Sequence, residues 1–513
     1  ISSTAGFELF NGCANTTATW FDYNNDGFLD LYVADWNYCD SNNLYKNNGD
    51  ETFSNVTLET QIHSHMDYAS YVPFPYDFNG DGYMDIYVTN DLSEPNNLFI
   101  NSANYSFLDQ AVDYGLDNEA DDMGLAIGDY NNDGAFDIFI TARNDNFLLS
   151  NDGSNYFNDE ADLLGVGNTL WSWGARFADF DLDGDEDLFV TNGFFLTDPQ
   201  PNFYFKNEYP INNFSDISAE LGLNSITVSV EANDLDYDND GDLDLMVTNN
   251  DGPLLFYENK TINFDDSVAI ANWFKIELEG TISNRDAIGA TVSISTENTN
   301  LKRYHSGVSF LSQSLKPLHF GLDSESHILS LQINWPSGLV ETYHDLSVNT
   351  TVRAVEGQGI SVLDILPSQK VYGCIDPNSC SYNPDATVSD NSCVYLNSSQ
   401  IFGNTTPQVL SQEVYYCESQ NPNATLYWEI TGGDIISGQG TNQITVDWGL
   451  EDSGMLRLTD SNGHCQSLPS SLNVDLGVND LPEHISVARL WNEVLLEAIR
   501  YDFINAFLCS KEV

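Results

Sequence analysis

A nine-residue pattern, D-x-[DN]-x-D-G-x-x-D, occurs five times in the first half of this 513-residue chain, starting at Asp22, Asp77, Asp129, Asp179 and Asp236. The intervals are 55, 52, 50 and 57 residues. Self-similarity at such a period restricts the fold to architectures in which one small unit stacks on the next. Each copy follows a short apolar run, such as Gly124-Leu125-Ala126-Ile127-Gly128 or Gly174-Ala175-Arg176-Phe177-Ala178. Each precedes a β-type run: Leu31-Tyr32-Val33, Ile86-Tyr87-Val88, Ile138-Phe139-Ile140, Leu188-Phe189-Val190 and Leu245-Met246-Val247. A further strand follows at Asn43–Asn47, echoed at Asn97–Asn101 and Asn202–Asn207. Units of about 50 residues that hold several short strands separated by turns read as propeller blades.

The chemistry of the loop is specific. Positions 1, 3, 5 and 9 supply side-chain oxygens: Asp22, Asn24, Asp26 and Asp30 in the first copy, then Asp77, Asn79, Asp81 and Asp85, and Asp129, Asn131, Asp133 and Asp137. The fourth and fifth copies supply Asp179, Asp181, Asp183 and Asp187, and Asp236, Asp238, Asp240 and Asp244. Position 7 can offer a backbone carbonyl, from Phe28, Tyr83, Ala135, Asp185 and Asp242. Position 6 is glycine throughout (Gly27, Gly82, Gly134, Gly184, Gly241), where the chain needs a positive φ. A shell of hard oxygens suits Ca²⁺ rather than Zn²⁺, so about five Ca²⁺ are expected. The closing acid falls at position 9 rather than 12, and the flanks are β-branched and aromatic, so these are calcium loops between strands rather than EF-hands. The bland alternative is a set of solvated Asp-Asn turns. Five in-register copies weigh against it, as do 17 carboxylates at positions 1, 3, 5 and 9, which would repel one another without cations.

Composition narrows the partners. Asp and Glu number 78 against 16 Lys and Arg, a formal net charge of −62. That excludes nucleic acid and an anionic membrane surface, both of which require clustered cations. With 41% hydrophobic and 12% aromatic residues, the acid is carried on folded structure. Five Ca²⁺ would cancel ten charges and leave an acidic surface. No apolar stretch is long enough to span a membrane. The chain opens at Ile1, which reads as a processed or truncated chain. Eight cysteines set singly in loop-like sequence point to an extracellular protein with disulfides.

The repeats resemble the FG-GAP/VCBS family of calcium-bound β-propellers over residues 1–262. The run from Trp173 to Gly193 is similar to the secreted subgroup that carries an ASPIC/UnbV domain. Motifs similar to that domain follow at Asn284–Ala290, Phe310–Ser314, Leu318–Leu322 and Trp335–Gly338, which places it at 263–357. Period-two alternation, as in Thr291-Val292-Ser293-Ile294-Ser295, makes it all-β. Divided by the mean repeat interval, 357 residues give about seven blades, with this domain supplying the last two. Residues 358–395 resemble a Cys-containing linker module of secreted bacterial proteins, with Cys374, Cys380 and Cys393 needing crosslinks or a bound ion for order; a zinc site is the rival reading. Residues 396–477 look like a PKD-like β-sandwich, with Trp428, Gly432-Gly433, Ser437–Thr441 and Val446-Asp447-Trp448 at the family's strand and turn positions. Cys417 and Cys465 are read as its disulfide, and Cys13 with Cys39 as one in the first blade. In 478–513, Val487, Leu490, Trp491, Val494, Leu495, Ala498, Ile499 and Phe503 form an amphipathic helical stripe. Residues 486–500 resemble the opening helix of vanadium-haloperoxidase-like domains, without the Lys, Arg and His residues that would hold vanadate.

The fold class is therefore all-β: a calcium-binding propeller of seven blades, a β-sandwich and a short C-terminal helix. No catalytic motif stands out, and no enzymatic activity is expected. His63 and His65 are too few to make a metal site, and His305 and His319 read as structural. The expected function is a secreted, extracellular or cell-surface protein of bacterial type that serves binding or adhesion. Its partner would be carbohydrate or another protein surface, met through the propeller. Trp36, Trp171 and Trp173 are candidate sugar platforms, with blade packing the commoner role for such residues. One alternative is the non-catalytic N-terminal part of a larger secreted haloperoxidase-like enzyme. Another is a self-associating surface-fibre subunit.

Overall fold

The computed structural model describes residues 5–6, 15–36, 42–62, 69–102, 105–194, 198–211, 213–250, 252–262, 271–363, 372–384, 386, 388–389, 392–421 and 423–477. Cys13, Cys39, His63, His65 and the amphipathic stretch at 478–513 lie outside the described residues. The protein is all-β, 53% strand and 4% helix. It forms two compact units, 1–368 and 369–513.

In the first unit each nine-residue loop joins the first two strands of an antiparallel meander. Four sheets have four strands: Asn15–Phe21, Asp30–Asp35, Asn43–Asn47 and Phe53–Asn55; Ala69–Tyr76, Asp85–Asp91, Asn97–Asn101 and Phe107–Asp109; Asp122–Gly128, Asp137–Ala142, Phe147–Asn151 and Phe157–Asp159; Ser172–Ala178, Asp187–Asn192, Phe203–Asn207 and Phe214–Asp216. The fifth has three described strands, Ser229–Leu235, Asp244–Asn249 and Leu255–Tyr257. Every first strand carries a register shift near its start, which frees one backbone N–H from the ladder. In the second, third and fourth sheets a threonine on the second strand answers it. Thr89 accepts from Val72 N, Thr141 from Gly124 N and Thr191 from Gly174 N. The same hydroxyls reach carbonyls on the first strand of the next sheet, at Met123, Trp173 and Val230. One side chain thus repairs a bulge and ties two sheets together.

Neighbouring sheets share buried cores. Phe21, Tyr32, Ile86 and Val88 join the first to the second, Phe139, Ala175 and Val190 the third to the fourth, and Phe189, Ala232 and Val247 the fourth to the fifth. Among the described residues no buried core joins the fifth sheet to the first, and no closed propeller forms. A hairpin of Val308–Ser309 and Ser312–Gln313 lies between them instead. Gln313 exchanges hydrogen bonds with the backbone of Trp20, 2.8 and 3.0 Å, and Ser309 donates to Glu231 at 2.6 Å. Phe310, between those strands, is buried against Tyr71 and Trp173.

Residues 272–363 do not continue the meander, contrary to the expectation that this segment supplies the last two blades. They form two facing four-stranded sheets. One is ordered Leu318–Asp323, Asn272–Glu279, Thr350–Val355, Gly359–Leu363, with a parallel pair at its centre. The other is ordered Asn300–His305, Ala290–Ser295, His327–Asn334, Val340–Ser347. The period-two residues predicted from sequence, Val292 and Ile294, face inward with Phe274, Ile276, Leu331, Ile333 and Trp335. The segment builds its own sandwich because its alternating strands bury one face each, and the two faces meet.

In the second unit, Gln400–Phe402, Gln412–Glu418, Gln443–Trp448 and Gly433–Ser437 face Thr425–Thr431, Ser453–Ser461 and Ser470–Asp475 across a core that holds Tyr415, Trp428 and Trp448. The cysteine pairing differs from expectation. Cys374 bonds Cys393, and Cys380 bonds Cys465, while Cys417 is free and buried. Cys417 occupies an inward position of its strand, beside Tyr415 and Trp428, whereas Cys465 lies in a turn next to the linker, where Gln466 N donates to Asn378 O at 2.7 Å. The crosslinks expected to order the linker are these two bridges.

Candidate metal centres

Each loop is wound by its own acids. In the first, the position-1 carboxylate of Asp22 accepts from Asp26 N and Gly27 N (3.1 and 2.8 Å), Asn24 Oδ1 accepts from Asp26 N (2.9 Å), and Asp26 Oδ1 accepts from Phe28 N (3.0 Å). The second, third and fifth loops repeat this set. The fourth keeps Gly184 N on Asp179 and Asp185 N on Asp183. Such bonds require left-handed turns. Position 6 supplies glycine at φ 85 to 108° across the five loops, and position 4 is also left-handed. There the chain uses Asn25, Gly80, Asn132 and Asn239, but Leu182 in the fourth loop. The N–H of every position-7 residue points at a position-5 carboxylate.

Position 9 lies at the root of the second strand, buried in all five copies. Asp30, Asp85, Asp137, Asp187 and Asp244 each accept from the backbone N–H of an asparagine that ends the third strand (Asn47, Asn101, Asn151, Asn207) or follows it by two residues (Asn259), at 2.7 to 2.9 Å. The side chains of these asparagines reach further. Asn101 Nδ2 donates to Tyr23 O in the preceding loop and to Met84 O in its own. Asn207 does the same to Tyr130 O and Glu186 O, and Asn259 to Phe180 O and Leu243 O. These clamps were missed in the sequence, although their recurrence 14 to 20 residues after position 9 was a signal.

The loops hold more oxygen than the protein satisfies. Asp137 Oδ2, Asp179 Oδ1, Asp181 Oδ1, Asp185 Oδ1 and Asp242 Oδ1 are buried with no hydrogen-bond partner. A carboxylate oxygen left that way is costly unless a cation faces it. Two loops bring three carboxylates within 4.8 Å: Asp179, Asp181 and Asp183, and Asp236, Asp238 and Asp244. Burial, with neighbouring carboxylates adding to it, pushes Asp22 up to about 6, Asp30 and Asp85 to about 8, Asp137 to about 9 and Asp244 to about 7. Lysines already lean on three of the loops, Lys46 on Asp26, Lys206 on Asp181 and Asp183, and Lys275 on Asp236. All-oxygen donors and unsatisfied buried carboxylates fit a hard divalent cation such as Ca²⁺.

The other candidates resolve as packing. Trp173 is buried and its indole donates to Gly193 O. Trp171 packs on Phe194 (4.2 Å between centroids) beneath the Arg143 guanidinium, and Trp36 Nε1 donates to Asp91 at 2.8 Å. His305 Nε2 sits 3.1 Å from Asp286 O and His319 Nε2 2.8 Å from Gly241 O, both buried.

The FG-GAP-like repeat family matches residues 22–88, 77–140 and 129–190, the ASPIC and UnbV family matches 280–361, and the PKD-like domain family matches 395–474. The chain carries these three kinds of domain, in that order. The fifth loop lies beyond the FG-GAP-like matches, while the clustered carboxylates of the fourth fall within the last of them. No curated protein matches the chain. Among solved structures, it is similar to an Agrocybe aegerita lectin described as recognising non-reducing terminal N-acetylglucosamine, at 17% identity and a TM-score of 0.28. That match covers 47% of this chain and 65% of the lectin, so the chain spans just under two thirds of the lectin's length. A Phanerochaete chrysosporium exo-β-1,3-galactanase matches at 9% identity and a TM-score of 0.24, over 66% of this chain and 81% of the enzyme. The extracellular domain of a putative one-component system from B. thetaiotaomicron matches at 11% identity and a TM-score of 0.21, over 93% and 69%. FG-GAP-like and PKD-like domains fit an extracellular binding or adhesion protein, and none of the three families is typically catalytic. Two disulfides agree with an oxidising compartment. Among the described residues no helix is long and apolar enough to cross a membrane.

Proposed function

We propose that this protein is a secreted, calcium-stabilised binding or adhesion protein. Its FG-GAP-like repeats hold about five Ca²⁺ and present a ligand surface, and carbohydrate is the first ligand class to screen. The observation that carries the reading is the set of buried loop oxygens without a protein partner, repeated on one scaffold. Positions 1, 3, 5 and 9 and the position-7 carbonyls would hold each ion. The ion would supply charge cancellation and loop closure, while the asparagine clamps pass that order from one repeat to the next. Ion binding to the native state alone raises the unfolding midpoint with ion concentration.

The test is a calcium count combined with thermal unfolding under EGTA, followed by restoration with Ca²⁺ or Mg²⁺. About five bound ions, a large fall on chelation and weak rescue by Mg²⁺ support the proposal, and a glycan array probed with the calcium-loaded chain then addresses the ligand. A protein that binds no calcium and unfolds at the same midpoint with and without EGTA would leave the loops as solvated turns and end the reading.

A further inference from the structure

Loops four and five differ from the first three in ligand charge. The first three carry three carboxylates each, at positions 1, 5 and 9. The last two carry five, because positions 3 and 7 are also Asp: Asp181 and Asp185, Asp238 and Asp242. In both, the position-7 side chain accepts from a backbone N–H beyond the third strand, Tyr209 N on Asp185 and Ile262 N on Asp242, while its second oxygen stays buried and unpartnered.

The same two loops are covered. The ASPIC/UnbV strands lie directly on them. A Cβ on Gly321 would fall 2.1 Å from Asp179 Oδ2, and Asp323 N donates to Leu182 O at 2.8 Å. Leu182, the one aliphatic residue at a left-handed position 4, is fully buried in a cluster with Ile262, Ala271 and Trp273. On loop five, Lys275 bonds Asp236, His319 meets Gly241 O, and a Cβ on Gly241 would fall 1.8 Å from Trp273 Nε1. The first three loops meet the domain away from their ligand turns: Met84 and Phe136, at position 8, pack against Tyr304, and the turns themselves are approached at single points. Lys302 donates to Gly134 O at 2.8 Å, and the Ile282 carbonyl lies 3.3 Å from a Cβ placed on Gly27. A Cβ on Gly82 or Gly134 would meet nothing within 4 Å.

We propose that the loops form two classes of calcium site: loops four and five, sealed by the ASPIC/UnbV domain, hold calcium tightly and exchange it slowly, and loops one to three exchange freely with solvent. This rests on the calcium reading above. Ligand charge sets how tightly a calcium loop binds, but escape of the ion also needs the loop to open, and the domain resting on loops four and five supplies a barrier to opening that charge alone does not. The sealed pair also fixes the domain, because its contacts reach both the turn backbone, at Leu182 O and Gly241 O, and the ligand carboxylates of Asp179 and Asp236. Removal of those two ions should therefore loosen the seam between domain and repeats.

The experiment is chelator-driven release from the full-length, calcium-loaded chain, followed by stopped-flow with a calcium-sensitive dye. The expected trace has two phases in a ratio of three fast to two slow, separated by about tenfold or more. Leu182→Asn, which installs the residue used by loops one, three and five, should move one ion from the slow phase to the fast. The double variant Asn79→Asp, Tyr83→Asp gives exposed loop two the five carboxylates of loops four and five without a cover, and should leave the slow phase at two ions. Protease cleavage between the repeats and the ASPIC/UnbV domain should follow the slow phase, not the fast. Release of all ions in one phase overturns this inference alone, and so does conversion of loop two to slow release by charge. Absence of bound calcium overturns the calcium reading itself.

Discussion

Asn207 offers the sharpest test of how the repeats are joined. It is 1% exposed. Its backbone N–H donates to Asp187, and its Nδ2 donates to Tyr130 O at 2.7 Å and Glu186 O at 3.2 Å, one carbonyl in loop three and one in loop four. Asn207→Ala keeps the backbone bond and leaves two buried carbonyls unmet, each at about 1–3 kcal/mol. Carbonyls have a second lone pair and the loops can relax, so a total of about 2–4 kcal/mol is expected. Asn207→Asp should cost more, because it aims a carboxylate oxygen at two carbonyl oxygens while preserving shape. Asn47 is the internal control: its Nδ2 reaches a single carbonyl, Leu29 O at 3.0 Å, from a half-buried position, so Asn47→Ala should cost about 1 kcal/mol. Urea unfolding at saturating calcium measures all three. Asn207→Ala within about 0.5 kcal/mol of the parent, or equal to Asn47→Ala, would refute the clamp argument.

Three further outcomes are expected. Burial pushes His305 down to about 4 and His319 to about 3 against an ordinary 6.5, so the stability they contribute is complete above pH 6.5 and lost as pH falls below it; midpoints recorded from pH 7 to 4 should fall, and His319→Asn should flatten that acid limb. In the calcium-free protein the folded state keeps Asp30 and Asp85 protonated up to about pH 8, whereas the unfolded chain releases those protons near 3.8. Calcium-free stability should therefore fall as pH rises from about 4 to about 8, and the stabilisation gained from calcium should grow over the same window; a calcium increment that does not change with pH contradicts this. Burial raises the Cys417 thiol to about 11, so alkylation should mark it only after unfolding, and peptide mapping should recover Cys374–Cys393 and Cys380–Cys465. A Cys417–Cys465 peptide would refute the pairing.

The sequence was most legible where local chemistry repeats. Asp at positions 1, 5 and 9 with Gly at 6 forms the same turn five times because the hydrogen bonds that wind it lie within nine residues. The strands around it were readable for a similar reason, since their apolar runs recur in register. What escaped depends on contacts between distant segments. Blade arithmetic assumed that residues 263–357 repeat the meander, but nothing in an alternating pattern says whether a strand pairs with its neighbour or, as Asn272–Glu279 does with Thr350–Val355, in parallel across 76 residues. Cys417 and Cys465 were read as partners because both fall within the PKD-like segment. Side-chain direction decided otherwise, because Cys417 points into the sandwich core beside Tyr415 and Trp428 while Cys465 lies in a turn next to the linker. The asparagine clamps were visible as letters, but their partners sit 77 to 79 residues back, in another repeat.

The hairpin of Val308–Ser309 and Ser312–Gln313 has a consequence for the order of events during synthesis. Gln313 lies 293 residues after the Trp20 backbone that it bonds, and Ser309 lies 78 after Glu231. Each sheet can dock on its predecessor as it emerges, but the outermost repeats cannot be bridged until the chain has grown past residue 313. Until then the first and fifth sheets present unpartnered faces. The repeat array is thus a structure that waits for its keystone. Loop-closure entropy makes that last step slow. Truncation just before the hairpin should leave repeats that are individually well formed yet prone to associate through their open ends.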